Sequence, residues 1–62
     1  MTPIFNVDDI VRFINKDVFY HQARKGSKGK ILSISQSLNK YVYWTKFKNC
    51  TEQIYEYQLE HW

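Results

Sequence analysis

The sequence predicts an all-β fold, a small barrel of about five short antiparallel strands, and two segments support that prediction most strongly. In segment 26–34, Gly-Ser-Lys-Gly-Lys-Ile-Leu-Ser-Ile, two glycines precede a β-branched run, which predicts a tight turn that leads into a strand. Segment 40–45, Lys-Tyr-Val-Tyr-Trp-Thr, consists almost entirely of strong strand formers. With 62 residues, the chain has room for one domain, residues 1–62, and a thin core.

The first strand is predicted over 9–14, where β-branched and aromatic residues follow the turn-forming pair Asp8-Asp9. The alternative is an α+β fold with an N-terminal helix over residues 3–15. Threonine before proline is a favourable helix start, and four apolar residues have the spacing of one helical face: Ile4, Val7, Val11 and Ile14.

A long polar excursion over 15–28 follows, with an extended apolar patch in its middle at Val18, Phe19 and Tyr20. The second strand is predicted over 29–35. Ile31 and Ile34 can both face inward only if a local bulge adjusts the alternation of side chains.

The remaining elements follow from turn signals between apolar runs. We expect a turn at 36–39, the third strand at 40–45, a hairpin turn at 48–51 and the fourth strand at 53–57. A tight turn at 58–60 would insert Leu59 into the end of the barrel, before a short closing strand at 61–62.

Alternation along the third strand places Val42 and Trp44 on one face and Tyr41 and Tyr43 on the other. We expect the first pair to face the core and the tyrosines to face solvent. The predicted core therefore consists of five residues: Val11, Ile31, Val42, Trp44 and Leu59.

The net charge of +3 conceals an asymmetric distribution. Residues 19–50 contain no acidic residue and seven basic ones: Arg24, Lys25, Lys28, Lys30, Lys40, Lys46 and Lys48. The flanking segments carry all the acidic residues with only two basic ones. Such an asymmetry predicts a basic surface that attracts a polyanion or an acidic protein.

The order of elements resembles that of SH3-like small barrels with a KOW-type motif. The resemblance covers about residues 7–62, and the matching positions are Asp9, Val11, Gly26, Gly29, Ile31, Leu59 and Glu60. Asp8 stands where the pattern has a glycine. The resemblance implies a module that binds RNA, the ribosome, a polymerase or another protein. The size and the lysine, asparagine and tyrosine bias also resemble those of small accessory proteins of bacteriophages or other mobile elements.

We expect no enzymatic activity, no cofactor and no metal site. The spacing of His21, Cys50 and His61 matches no zinc motif, and Cys50 would be reactive only if nearby lysines lowered its pKa. The glycine-rich segment 26–30 precedes a strand rather than a helix, which argues against a nucleotide phosphate loop. A single cysteine, no apolar run of about 20 residues and no signal-peptide pattern predict a cytoplasmic, non-membrane protein.

The predicted function is a binding module that uses a basic and aromatic surface, because exposed aromatic rings beside cations hold single-stranded nucleic acid. The expected partner is RNA or single-stranded DNA, or a host protein such as a polymerase, ribosome or nuclease component, with the chain as a monomer. The alternative is a protein-binding regulator or a phage-encoded inhibitor of a host enzyme. The candidate binding residues are Arg24, Lys25, Lys28, Lys30, Tyr41, Tyr43, Lys46 and Lys48.

Overall fold

The computed structural model describes residues 2–16 and 21–62 and contains five strands in one antiparallel sheet. The strands are β1 (Ile10–Phe13), β2 (Lys28–Ser37), β3 (Lys40–Phe47), β4 (Thr51–Tyr55) and β5 (Leu59–His61), in the order β4-β3-β2-β1-β5. A 3₁₀ turn, Glu56–Gln58, joins β4 to β5. The predicted all-β fold of five short antiparallel strands is confirmed.

The alternative with a helix over 3–15 is wrong, because β1 occupies this segment and pairs with both β2 and β5. The predicted apolar patch at 18–20 lies outside the described residues.

The long strand β2 contains the predicted bulge. Its register with β3 shifts between Ile31, which pairs with Thr45, and Ser33, which pairs with Trp44. The extra residue lets Ile31 be fully buried while Ile34 packs against the same core, as predicted.

Several strand boundaries in the structure differ from the predicted ones. The turn between β2 and β3 needs only residues 38–39, so β2 extends to Ser37. The 3₁₀ turn comes before Leu59, which begins β5 and is buried, as predicted for its side chain.

β3 presents the opposite faces from those predicted. Tyr43 is fully buried and Tyr41 is 9% exposed, whereas Trp44 is 42% exposed and Val42 is half-buried. The prediction that Val42 and Trp44 face inward and the tyrosines outward is therefore wrong.

The length of β3 and its charges explain this orientation. The strand continues to Phe47, which is buried together with Thr45 in phase with the tyrosines. Lys40 and Lys46 lie in phase with Trp44, and burying an unpaired ammonium group is far more costly than exposing part of an indole.

Aromatic rings from several elements fill the thin core. The ring of Phe5 packs edge-on against Tyr43 with 5.3 Å between centroids, and Phe13 lies 5.8 Å from Phe47. The buried apolar residues are Phe5, Val11, Phe13, Ala23, Ile31, Tyr41, Tyr43, Phe47, Ile54 and Leu59. Three of the predicted core residues are thus confirmed, and the two tyrosines take the places predicted for Val42 and Trp44.

The turn before β1 contains Asp8. Asp8 adopts a φ of +75°, a left-handed conformation that aspartate tolerates better than most residues. The Asp8 N–H donates to the carbonyl of Ile31, and the Asp9 carboxylate accepts from the Asn6 N–H at 2.8 Å. Asp8 therefore takes a backbone conformation that glycine adopts readily.

Gly29 is required by close packing rather than by its own backbone angle. A Cβ at this position would lie 2.7 Å from Thr45 Cγ2 and 2.8 Å from Phe47 Cε1. Both side chains are buried and have little room to move.

Replacing Gly29 with alanine should lower the free energy of unfolding by roughly 1–3 kcal/mol, because the added methyl group overpacks the core. The matched control is Ser35→Ala, at an exposed position on the same strand, with an expected change within about 0.5 kcal/mol. Urea denaturation measures both. Equal stability of the two variants would contradict the packing argument.

Candidate functional site

The outer face of the sheet gathers basic side chains from three neighbouring strands. Lys30 of β2 lies directly opposite Lys46 of β3, and Ile10 of β1 lies opposite Lys30 on the other side. Arg12 of β1 lies opposite Lys28 of β2. Directly opposite residues have Cβ atoms about 4.5–5.5 Å apart, so these four cations form one cluster.

Two partly exposed tryptophans flank the cluster. Trp62 follows β5, donates its backbone N–H to the carbonyl of Ile10, and is 54% exposed. The Arg12 guanidinium lies 4.7 Å and the Lys28 ammonium 5.4 Å from the centre of its ring. On the other side, Trp44 precedes Lys46 by two residues on β3, which places the two side chains on the same face about 7 Å apart.

We call this surface the basic sheet face: Arg12, Lys28, Lys30, Lys46, Trp44 and Trp62. Two carboxylates reach its margin, Glu60 at 2.9 Å from Arg12 Nη1 and Asp8 at 3.6 Å from Lys30 Nζ. Both pairs are exposed and therefore weak. Within residues 2–16 and 21–62, no carboxylate forms an ion pair with Lys28 or Lys46.

Two other glutamates are directed away from this face. Glu52 accepts a hydrogen bond from the Ala23 N–H at 2.8 Å and lies 3.6 Å from His21 Nδ1. Glu56 accepts from the Tyr43 hydroxyl at 2.6 Å and from the Ile4 N–H at 3.2 Å. These two carboxylates are thus engaged in structural hydrogen bonds away from the cations of the basic sheet face.

The Tyr43 hydroxyl is strongly held in its neutral form. Burial, followed by the hydrogen bond to the Glu56 carboxylate, raises the pKa of Tyr43 to about 12. The same oxygen accepts a long hydrogen bond, 3.4 Å, from the Phe5 N–H. This contact joins the N-terminal segment to the inner side of the strand that carries Trp44 and Lys46.

The predicted basic residues fall into two neighbouring groups. Lys28, Lys30, Lys46 and Lys48 surround a shallow depression of about 420 Å³ on the outer face. Arg24 lines a second cleft, beside Lys28 and Lys48, and Lys25 is exposed in the turn before β2.

Tyr41 and Tyr43 are not part of this surface, because both are buried on the other side of the sheet. Their predicted role as exposed stacking residues is therefore wrong. Sequence reasoning missed Trp44, Trp62 and Arg12. The signal for Trp44 was available, since its side chain is in phase with Lys46, and a lysine fixes the solvent face of a strand.

The surroundings of Cys50 and the histidines bear on the reactive thiol and the metal site that were considered from the sequence. Burial, and then the nearby Glu52 carboxylate, raise the pKa of the Cys50 thiol, so the lysine-activated thiol considered from the sequence is wrong. The His61 ring packs against Phe5 at 4.7 Å. Among the described residues, no group of three His, Cys, Asp or Glu side chains is placed to hold a metal ion.

The raised pKa of Tyr43 predicts a loss of stability in alkali. The folded protein keeps the Tyr43 proton up to about pH 12, whereas the unfolded chain releases it from about pH 10. This contribution is therefore fully present below pH 10 and is lost as the pH rises through 12. Urea denaturation of the wild type and of Tyr43→Phe over this range should show a steeper decline for the wild type. Parallel declines would contradict the assignment.

Comparisons with protein-family models, with curated proteins and with solved structures gave no match to this chain. The part of the chain that the structure describes contains no helix that is long and apolar enough to cross a membrane.

Proposed function

We propose that this chain is a non-enzymatic module that binds single-stranded nucleic acid, alone or within a nucleic-acid-processing machine, through the basic sheet face. The observation that supports this most directly is the pairing of Lys30 with Lys46. Like charges directly opposite each other destabilise a sheet. A phosphate between the two ammonium groups removes that repulsion. The relief of this repulsion therefore contributes to the free energy of binding.

The tryptophans supply the second component of binding. Trp44 and Trp62 expose ring surface on either side of the cations. Stacking of a base on an aromatic side chain contributes about 1–3 kcal/mol and requires an unpaired base with an accessible face. This requirement favours a single strand over a duplex.

The cations indicate weak sequence selectivity. Three of the four cations on the face are lysines, which bind phosphates as point charges and lack the planar fork that arginine uses for bidentate recognition of guanine. Arg12, the exception, is engaged with Glu60 and Trp62. We therefore expect affinity that depends on salt and on base stacking more than on sequence.

The proposal includes the SH3-like, KOW-type assignment. The five-strand order, the glycine-like conformation of Asp8 and the 3₁₀ turn before a buried Leu59 support it. The proposed function does not depend on Tyr41 and Tyr43. The sequence suggested them as exposed binding residues, but both are buried.

Reversing the charge of Lys46 should weaken binding of a single-stranded oligonucleotide and flatten its salt dependence. The slope of log affinity against log salt should fall by about 0.7 for each phosphate that the variant no longer neutralises. Fluorescence anisotropy at several salt concentrations measures both quantities with Lys46→Glu.

The matched control is Lys40→Glu, the same charge change on the same strand and face. Lys40 lies at the hairpin end of β3, with its ammonium 5.5 Å from the centre of the Tyr55 ring. It should change the slope much less. Equal effects of the two variants would mean that binding depends on the net charge of the protein and not on this site. A wild type that binds no oligonucleotide at low salt would refute the proposal.

Trp44→Ala should remain folded, because Trp44 lies largely outside the core, and should lose about 1–3 kcal/mol of binding free energy. Leu38→Ala, at the exposed hairpin tip, is the control and should bind normally. In Trp62→Phe, the remaining Trp44 emission should be quenched by the oligonucleotide. Unchanged emission on binding would exclude stacking at Trp44.

A second candidate function, a protein-binding regulator or inhibitor of a host enzyme, is favoured by the exposed apolar side chains Ile10 and Leu32 on β1 and β2. Under this alternative, a protein partner would be retained after nuclease treatment and lost in Trp44→Ala, while the wild type would bind no nucleic acid.

A further inference from the structure

A cleft of about 310 Å³ lies between the turn before β2 and the hairpin that joins β3 to β4. Its apolar lining comes from Ala23 and Phe47, which are buried, and from half-buried Cys50. Three cations and three neutral polar residues also line it: Arg24, Lys28, Lys48, Gln22, Ser27 and Asn49. The cleft therefore combines an apolar surface with groups that attract an anion.

No carboxylate lines the cleft among the described residues. Glu52 lies behind the lining, with its Oε2 3.8 Å from the Cys50 sulfur. That carboxylate already accepts the Ala23 N–H and lies beside His21. Arg24 and Lys48 both line the cleft and form no ion pair with any described residue.

The size and lining fit a single nucleotide. Ligand sites usually have volumes of about 300–1,000 Å³, and this cleft lies at the small end of that range. The apolar lining suits the face of a base, and the Asn49 amide offers both a donor and an acceptor for a base edge. The cations at the cleft suit a phosphate.

We propose that this cleft binds one unstacked nucleotide of the single strand held by the basic sheet face, with its base beside Phe47 and its phosphate among Arg24, Lys28 and Lys48. This inference rests on the proposed function. Lys28 connects the two regions, because it lines the cleft and its ammonium also lies over the ring of Trp62. The strand then runs from the sheet face into the cleft.

Cys50 provides a direct readout, because it is the single cysteine of the chain and lines the cleft. Its rate of alkylation by iodoacetamide should fall about tenfold when a single-stranded oligonucleotide is present at about ten times its dissociation constant. A nucleoside monophosphate should protect Cys50 at higher concentration. Inorganic phosphate, which supplies the charge without the base, should protect it much less.

Two alanine variants separate the cleft from the sheet face. Arg24→Ala should weaken protection of Cys50 by the nucleoside monophosphate, since Arg24 lines the cleft and not the outer depression. Lys46→Ala should weaken oligonucleotide binding but leave protection by the nucleoside monophosphate unchanged, since Lys46 lines the outer depression and not the cleft. The same effect of both variants on this protection would overturn the assignment.

The remaining outcomes distinguish this inference from the proposed function. If anisotropy shows oligonucleotide binding while the alkylation rate of Cys50 stays unchanged, the cleft inference fails and the proposed function stands. If no oligonucleotide binds, both fail. If inorganic phosphate protects as well as the nucleoside monophosphate, the cleft is an anion site and the nucleotide assignment is overturned.

Discussion

The alternation of side chains along β3 is the constraint on which the rest of the structure depends. β3 pairs with β2 on one side and β4 on the other, so its pleat sets the inner and outer faces of both neighbours. Its inward side chains, from Tyr41 to Phe47, form the centre of the core. A shift of one residue would bury Lys40 and Lys46 and expose the tyrosines, which explains why one register is strongly preferred.

Polar contacts then attach the irregular segments to this sheet. Glu56 accepts hydrogen bonds from the Ile4 N–H and the Tyr43 hydroxyl, which attaches the N-terminal segment to β3. Glu52 accepts the Ala23 N–H, which attaches the segment before β2 to β4. The buried Gln58 accepts the Ile14 N–H through its carbonyl and the Lys16 N–H through its side chain. In a domain with so small a core, such bonds position loops that apolar packing alone does not hold.

The same arrangement explains the surface. Carboxylates that hold backbone amides cannot neutralise lysines on the opposite side of the sheet, so Lys28 and Lys46 remain without ion pairs among the described residues. Gly29 lies between Lys28 and Lys30 along β2 and lets Phe47 pack closely beneath the strand. The close packing at Gly29 therefore also determines where the two flanking lysines lie on the proposed interface. One of them, Lys28, also lines the cleft.

The sequence by itself determined the class of fold, because β-branched and aromatic runs, turn residues and a short chain leave few alternatives. It also determined the bulge near Ile31, the buried Leu59 and the charge asymmetry, all of which are local features. The lysines in phase with Trp44 indicate the solvent face of β3 locally, but the contacts that hold the tyrosines in the core were decided only by tertiary structure. Tyrosine and tryptophan are both amphipathic, so composition alone does not rank them. The Tyr43 hydroxyl donates to Glu56, thirteen residues away along the chain, and its ring packs against Phe5. Likewise, Arg12 and Trp62 share a surface with Lys28 only because β1 lies between β2 and β5, a pairing between distant segments that local sequence does not encode.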